Sequence, residues 1–289
     1  MNINWISVNE QLKQWLQEDI GRGDRTTLGL ADAAQTLGQG YWLNKSSGVI
    51  CGLLLAQRVF TILADANGYV HPMNFTPSIP EGQWVEAGTT IAYLQGDLAT
   101  LLTGERVALN LAMHLSGIAT STRQYVEAIA DVPTQLVDTR KTTPGLRTLE
   151  KYAVQIGGAC NHRLGLDDAV MIKDNHIAAA GSIAAAIEWV RSTMPYPLTV
   201  EVETENLEQV QEALVYGADI IMLDNMAPKK MKKAVKIIRQ KNPRVKIEGS
   251  GNITLDSIRE IALTGVDYIS SSAPITRAPW LDLSMRLQP

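Results

Sequence analysis

The sequence predicts an α/β protein in which a strand-rich first part precedes a parallel β/α barrel, closed or nearly so. Three patterns carry this reading. From about residue 130, short apolar strand cores alternate with amphipathic helices; residues 36–95 break into short strands at turn-forming clusters; and nearly every later strand runs into charged or small polar residues at its C-terminal end. The 289 residues, 45% hydrophobic and 19% charged, leave ample length for a real core.

At the start, Ser7-Val8-Asn9-Glu10 fits a capping box, and Val8, Leu12, Trp15, Leu16 and Ile20 recur at helical spacing up to the turn Gly21-Arg22-Gly23-Asp24. The strands of 36–95 are separated at residues 44–48, 66–68 and 80–82. Residues 81–88 have the rhythm of half a lipoyl-type domain but no lysine at the hairpin tip, so they read as scaffold. A long helix is predicted to begin near Thr103-Gly104-Glu105-Arg106, with Val107, Leu111, Leu115 and Ile118 as its buried stripe. Arg106, Asn110 and His114 lie one turn apart on the flank of that stripe.

Strand cores then fall at 134–137, 169–172, 198–202, 219–223, 244–247 and 267–269, and helices at 144–156, 182–194, 206–216, 228–240 and 254–263. The first of these helices has Thr143 as N-cap, Pro144 at its first position and Gly157-Gly158 as its stop. Such repetition implies a parallel sheet with right-handed crossovers. An open doubly wound sheet is the other topology, disfavoured because no strand is followed by the glycine fingerprint of dinucleotide folds.

A net charge of −4 gives no general attraction to nucleic acid, so basic residues must act as a local cluster. Neither a signal peptide nor a run of roughly 18 apolar residues is present, so no membrane partner is expected. Cys51 and Cys160 lack metal-ligand spacing and are expected to be buried, reduced thiols of a cytoplasmic protein.

The strand ends carry the chemistry. They read Asp138-Thr139-Arg140-Lys141, Lys173-Asp174-Asn175-His176, Glu201 with Glu203 and Glu205, Asp224-Asn225, Glu248-Gly249-Ser250-Gly251-Asn252, and Ser270-Ser271-Ser272. In barrel enzymes this face holds the active site. Side chains alternate along a strand, so Glu201 and Glu203 share a face, as do Lys246, Glu248 and Ser250. Solvated edge strands would also be polar, but the recurrence on nearly every strand argues against that. Buried charges need partners, so Glu201, Lys246 and Glu248 are assigned to a balancing ion-pair network. Arg140, Lys141, Arg163, Lys173, Glu203 and Asp224 are the candidates for ligand contact. The turn at Ser250-Gly251-Asn252 could present N–H groups to a phosphate or be purely structural, and Ser270–Ser272 reads the same way. His176 has no second ligand at metal-binding spacing and is read as a structural hydrogen-bonding residue.

These segments, with Gly104-Glu105-Arg106-Val107-Ala108-Leu109-Asn110, Asp138 to Gly145, Asn161-His162-Arg163, Met171 to His176 and Met222-Leu223-Asp224-Asn225, resemble the quinolinate phosphoribosyltransferase family from Glu18 to the last residues. The resemblance implies an N-terminal α/β sandwich domain, residues 1–115, with the tail 275–289 packing back on it, and an open TIM-like β/α barrel over 116–274. It implies transfer of phosphoribosyl from phosphoribosyl pyrophosphate to quinolinate, giving nicotinate mononucleotide, pyrophosphate and carbon dioxide in NAD synthesis, with Mg2+. Arg106, Arg140, His162, Arg163 and Lys173 would bind quinolinate, whose two carboxylates suit arginine. Lys141, Glu203 and Asp224 would be catalytic. The phosphoribosyl donor would be held by Lys141, Lys173, Glu203, Asp224, Ser250, Gly251, Asn252, Ser271, Ser272 and Ala273. Magnesium would be held through the donor phosphates with no direct protein ligand assigned, Glu203 or Asp224 being the alternative carboxylate contacts. The family implies a homodimer in which Arg106 reaches the neighbouring active site, and higher oligomers are compatible. Many relatives continue the last strand Gly-Ala-Leu-Thr-His, whereas Ser272-Ala273-Pro274-Ile275-Thr276 stands here, so that histidine contact is absent. A Schiff-base lyase using Lys141 or Lys173, or a non-catalytic anion-binding paralogue, are the alternative functions.

Overall fold

The computed structural model describes residues 3–68 and 70–288. Two compact units are present: the chain up to Ser121 with Thr148–Gly158 and the segment from Ala278 onward, and Thr122–Arg147 with Ala159–Arg277. Contacts place the division between these units at 121/122, with residues 148–158 in the first unit.

The first unit opens with α1 (Trp5–Ile20) and α2 (Arg25–Gly29). The N-cap of α1 lies three residues upstream of the expected Ser7: Asn4 caps the helix, accepting from Ile6 N at 3.1 Å, and Ser7 lies in the first turn. Next come β1 (Leu37–Asn44), β2 (Gly48–Val49), α3 (Leu53–Asn67), β3 (Asn74–Pro77), β4 (Trp84–Val85), β5 (Thr90–Asp97) and α4 (Leu98–Glu127). Helix α3 corrects the expectation of strands throughout 36–95. Most of its described apolar side chains are buried, which leaves no clean polar face to reveal the helical period. Helix α4 begins at Leu98, so Arg106 stands two turns inside it, not in its first turn.

The remaining elements are β6 (Gln135–Val137), α5 (Arg147–Ile156), β7 (Val170–Ile172), α6 (Asp174–Ala180), α7 (Ile183–Thr193), β8 (Val200–Thr204), α8 (Leu207–Val215), β9 (Ile220–Asp224), α9 (Pro228–Lys241), β10 (Lys246–Ser250), α10 (Ile258–Ala262), β11 (Tyr268–Ser270), α11 (Ala273–Thr276) and β12 (Leu283–Gln288). Residues 144–146 form a turn, closed by Leu146 N donating to Thr143 O at 3.0 Å, so α5 starts later than expected and Thr143 is not its N-cap.

In the first unit β12, β1, β5 and β3 form an antiparallel sheet in that order, with β2 and β4 as a separate antiparallel pair. Trp42 of β1, Phe60 of α3 and Phe75 of β3 meet at the centre, Trp42 edge-on to Phe75 at 5.4 Å. Gly117 lets residues 278–281 cross α4 at the backbone, since a Cβ there would lie 2.1 Å from Pro279 O. Glu81, in the loop read as scaffold, accepts from Gly52 N at 3.0 Å and Leu54 N at 3.1 Å, capping α3, and from the Tyr152 hydroxyl of α5. His114 Nε2 pairs with the buried Glu150 at 3.0 Å.

The second unit is a six-stranded parallel sheet ordered β6-β11-β10-β9-β8-β7. No ladder joins β6 to β7 among the described residues; an isolated bridge, Val137 to Cys160, lies at the β6 side. The barrel is therefore open. Cys160 sits at this edge and is exposed, which corrects the expectation that both thiols are buried; Cys51 is buried. No helix among the described residues is long and apolar enough to cross a membrane.

Candidate active site

The C-terminal ends of the parallel strands surround a cavity of about 660 Å³ in the second unit, a size suited to a small-molecule ligand. Its wall contains Arg140, Lys141, His162, Arg163, Lys173, Glu203, Asp224, Ser250, Gly251, Asn252, Ser271, Ser272 and Ala273, so one site gathers all the expected ligand residues except Arg106. Arg106 is on α4 in the first unit, its side chain 59% exposed and 3.8 Å from Glu105.

Asp138, buried at the end of β6, builds one side of the site. Its carboxylate accepts from Asn161 Nδ2 at 2.7 Å and His162 N at 2.8 Å, pinning residues 161–163 beside the strand. Arg140 Nε is buried without a hydrogen-bond acceptor in the protein. Arg163 donates to Ala169 O at 2.9 Å, and its pKa is lowered first by burial and then by the charge of Arg140. Two guanidinium groups held near each other, one with an orphaned donor, call for an anion between them.

On the opposite wall, Lys173 Nζ pairs with Glu203 at 2.7 Å, and Lys173 N donates to His176 Nδ1 at 3.0 Å, the structural role expected of that histidine. Asp224 has a raised pKa, caused by burial and then by the negative charge of Glu203. Neighbouring carboxylates with this mutual repulsion favour a cation or a developing positive charge beside them.

The phosphate side is more selective than the sequence implied. Ser271 N donates to Val137 O at 3.1 Å and Ala273 N to Ser271 Oγ at 3.2 Å, so those two amides are already engaged. Among the described residues, the amides of Gly251 and Asn252 donate to no acceptor. Thr276 also lines the cavity, its hydroxyl donating to Ser272 O at 3.1 Å.

Beneath the arginines, His162 Nε2 lies 3.0 Å from Glu201 and 3.5 Å from Glu248, both carboxylates buried. Lys246, expected in this network, instead sits exposed at the start of β10, about two residues' rise from Glu248, and lines a separate depression with Arg239 and Asp267. Sharing a strand face did not place it at the same end of the sheet. The three ligating atoms of His162, Glu201 and Glu248 lie within 4.8 Å, close enough to hold a cation. Burial opposes charge on His162, but the two carboxylates outweigh it and raise its pKa to about 10. Arg163 N donates to His162 Nδ1 at 2.7 Å, which favours the neutral ring. We assign the imidazolium, because two buried carboxylates without a cation cost more than one adjustable amide contact.

The pH dependence follows. The ring's ordinary value is 6.5, so its stabilisation is complete below pH 6.5 and is lost as pH rises through about 10. The thermal midpoint of the parent should therefore fall across that window relative to His162→Asn; parallel curves would mean a neutral ring.

Comparison with known proteins matches this arrangement. The N-terminal domain family of quinolinate phosphoribosyl transferase matches residues 24–116 and the C-terminal domain family residues 118–286. A probable nicotinate-nucleotide pyrophosphorylase [carboxylating] of Synechocystis sp. is 61% identical over 98% of this chain and 93% of its own. A Bacillus subtilis protein described in the same words is 40% identical over 98% of this chain and 94% of its own. The crystal structure of NadC from Streptococcus pyogenes superimposes with a TM-score of 0.91 at 40% identity, covering 100% of this chain and 99% of that one. The chain belongs to the quinolinate phosphoribosyltransferase family.

Proposed function

We propose that this enzyme converts quinolinate and phosphoribosyl pyrophosphate to nicotinate mononucleotide, pyrophosphate and carbon dioxide, in the cytoplasm, as a step of NAD synthesis. The observation that carries the reading is the pairing, in one cavity, of a two-arginine wall with a Lys173–Glu203–Asp224 wall. Arg140 and Arg163, with Lys173, grip the two carboxylates and turn the pyridine nitrogen toward the anomeric carbon, and His162, its ring held between Glu201 and Arg163 N, backs that wall of the quinolinate site. Lys141 and the free amides of Gly251 and Asn252 hold the donor's phosphates, and Ser250, Ser271, Ser272 and Ala273 shape that pocket.

As the nitrogen–carbon bond forms, the bond to pyrophosphate breaks and positive charge develops on the ribose. Glu203 and Asp224 stabilise it electrostatically. The ring carboxylate then leaves as carbon dioxide, and its bonding pair takes up a proton at carbon. The oxygen donors of Glu203 and Asp224 suit a hydrated Mg2+ accompanying the donor, which would neutralise the leaving pyrophosphate. A homodimer completes each site with Arg106 of the other subunit. Lys173 is engaged with a carboxylate at 2.7 Å, the geometry of a cation holder and not of the free amine that a Schiff-base lyase needs.

Purified protein with both substrates and magnesium should release pyrophosphate and carbon dioxide in equal amounts. No release at any magnesium concentration would sink the assignment, and a borohydride-stable adduct on Lys141 or Lys173 with a keto acid would favour the lyase.

A further inference from the structure

Asn225 and Asn252 are the non-glycine residues, among those described, with positive φ, each at 51°. Left-handed backbone is uncommon for residues with a side chain, and asparagine tolerates it best. These two face each other across neighbouring strand ends. Asn225 Nδ2 donates to Asp224 Oδ2 at 2.7 Å, Asn252 Nδ2 donates to Asn225 Oδ1 at 3.2 Å, and Asn225 N donates to Ser250 O at 3.0 Å. Gly251, with φ at 98°, leaves the space Asn225 fills: a Cβ there would lie 2.2 Å from Asn225 Oδ1.

One side-chain amide therefore spans from the carboxylate ending β9 to the turn after β10. Its orientation is fixed by chemistry, because an ionised carboxylate only accepts, so the amide nitrogen must face Asp224 and the oxygen Asn252. Both asparagines are exposed. Bonds open to water add little to stability, so a purely structural clasp has weak grounds here. Yet every group it joins lines the cavity.

We infer that Asn225 is a positioning residue that fixes the Asp224 carboxylate against the 250–252 turn, so that the two halves of the donor site act as one unit. The inference rests on the donor-site reading above.

Two variants of the full chain test it. Asn225→Gly keeps the positive φ and removes both side-chain bonds, whereas Asn225→Asp keeps the shape and the acceptor toward Asn252 but loses the donor toward Asp224. In both, calorimetry with phosphoribosyl pyrophosphate and magnesium should show affinity weakened roughly 10- to 100-fold, with kcat reduced to a similar degree. The KM for quinolinate should move by less than about threefold and the thermal midpoint should hold. Donor affinity and kcat of Asn225→Gly within about threefold of the parent would overturn the inference, as would an equal loss in quinolinate KM. Loss confined to Asn225→Asp would overturn it too, since added charge alone would then suffice. Donor binding is read without turnover, so a parent that binds the donor but makes no nicotinate mononucleotide would refute the reaction and leave the clasp to its own measurement. A parent that binds no donor would overturn both.

Discussion

Arg106→Ala and Lys141→Ala should each abolish measurable turnover, and an equimolar, subunit-exchanged mixture should regain about a quarter of the parental sites. The fraction follows from symmetry. Half of the randomly mixed dimers carry one chain of each kind, and in these one of two sites pairs an intact Arg106 with an intact Lys141. The placement of the two residues in different units motivates the experiment: Lys141 is on the cavity wall of the second unit, while Arg106 belongs to α4 of the first, 3.8 Å from Glu105. Arg106→Ala should lose quinolinate binding foremost, since on the proposed reading it removes a guanidinium that binds a carboxylate. No recovery, with subunit exchange demonstrated by mass, would assign Arg106 to its own chain or to no site at all.

Glu203→Gln should lower kcat by roughly 10²- to 10³-fold, the usual cost of removing one preorganised electrostatic contact from a developing charge. The change is nearly isosteric, so packing is preserved. It removes the negative partner of Lys173 at 2.7 Å and relieves the repulsion that, second to burial, raises the Asp224 pKa. The KM for quinolinate should change little, because Arg140 and Arg163 remain. Single-turnover kinetics separates the outcomes: a kcat within a few fold of the parent would remove Glu203 from the transition state.

Much of this site was legible in the sequence because parallel strands end where their apolar runs end. Val137, Ile172, Val202, Leu223 and Ile269 each mark a strand whose next residues are polar, so the active face could be read directly. Position along a strand was less legible than its face. Lys246 and Glu248 alternate correctly, yet only Glu248 reaches the mouth. Helix α3 was hidden because its apolar residues are buried on most sides, and α6 because seven residues carry too little periodicity. Asn225 could have been found: an Asp-Asn pair ending one strand and Gly-Asn following the next are both left-handed signals. Which amides of 271–273 stay open to a ligand depends on long-range partners such as Val137, beyond any local pattern.

The pairing of β12 with β1 has a consequence for how the protein is made. Register runs from Gln39 with Gln288 to Asn44 with Leu283, so the first unit's sheet joins residues some 240 positions apart. During synthesis at about 5–20 residues per second, β1 waits many seconds with an open edge while everything up to residue 283 emerges from the ribosome. An unpaired edge is a template for other chains. The nascent protein is therefore most exposed to aggregation in this interval, and holding chaperones should engage the N-terminal unit until 283–288 arrive.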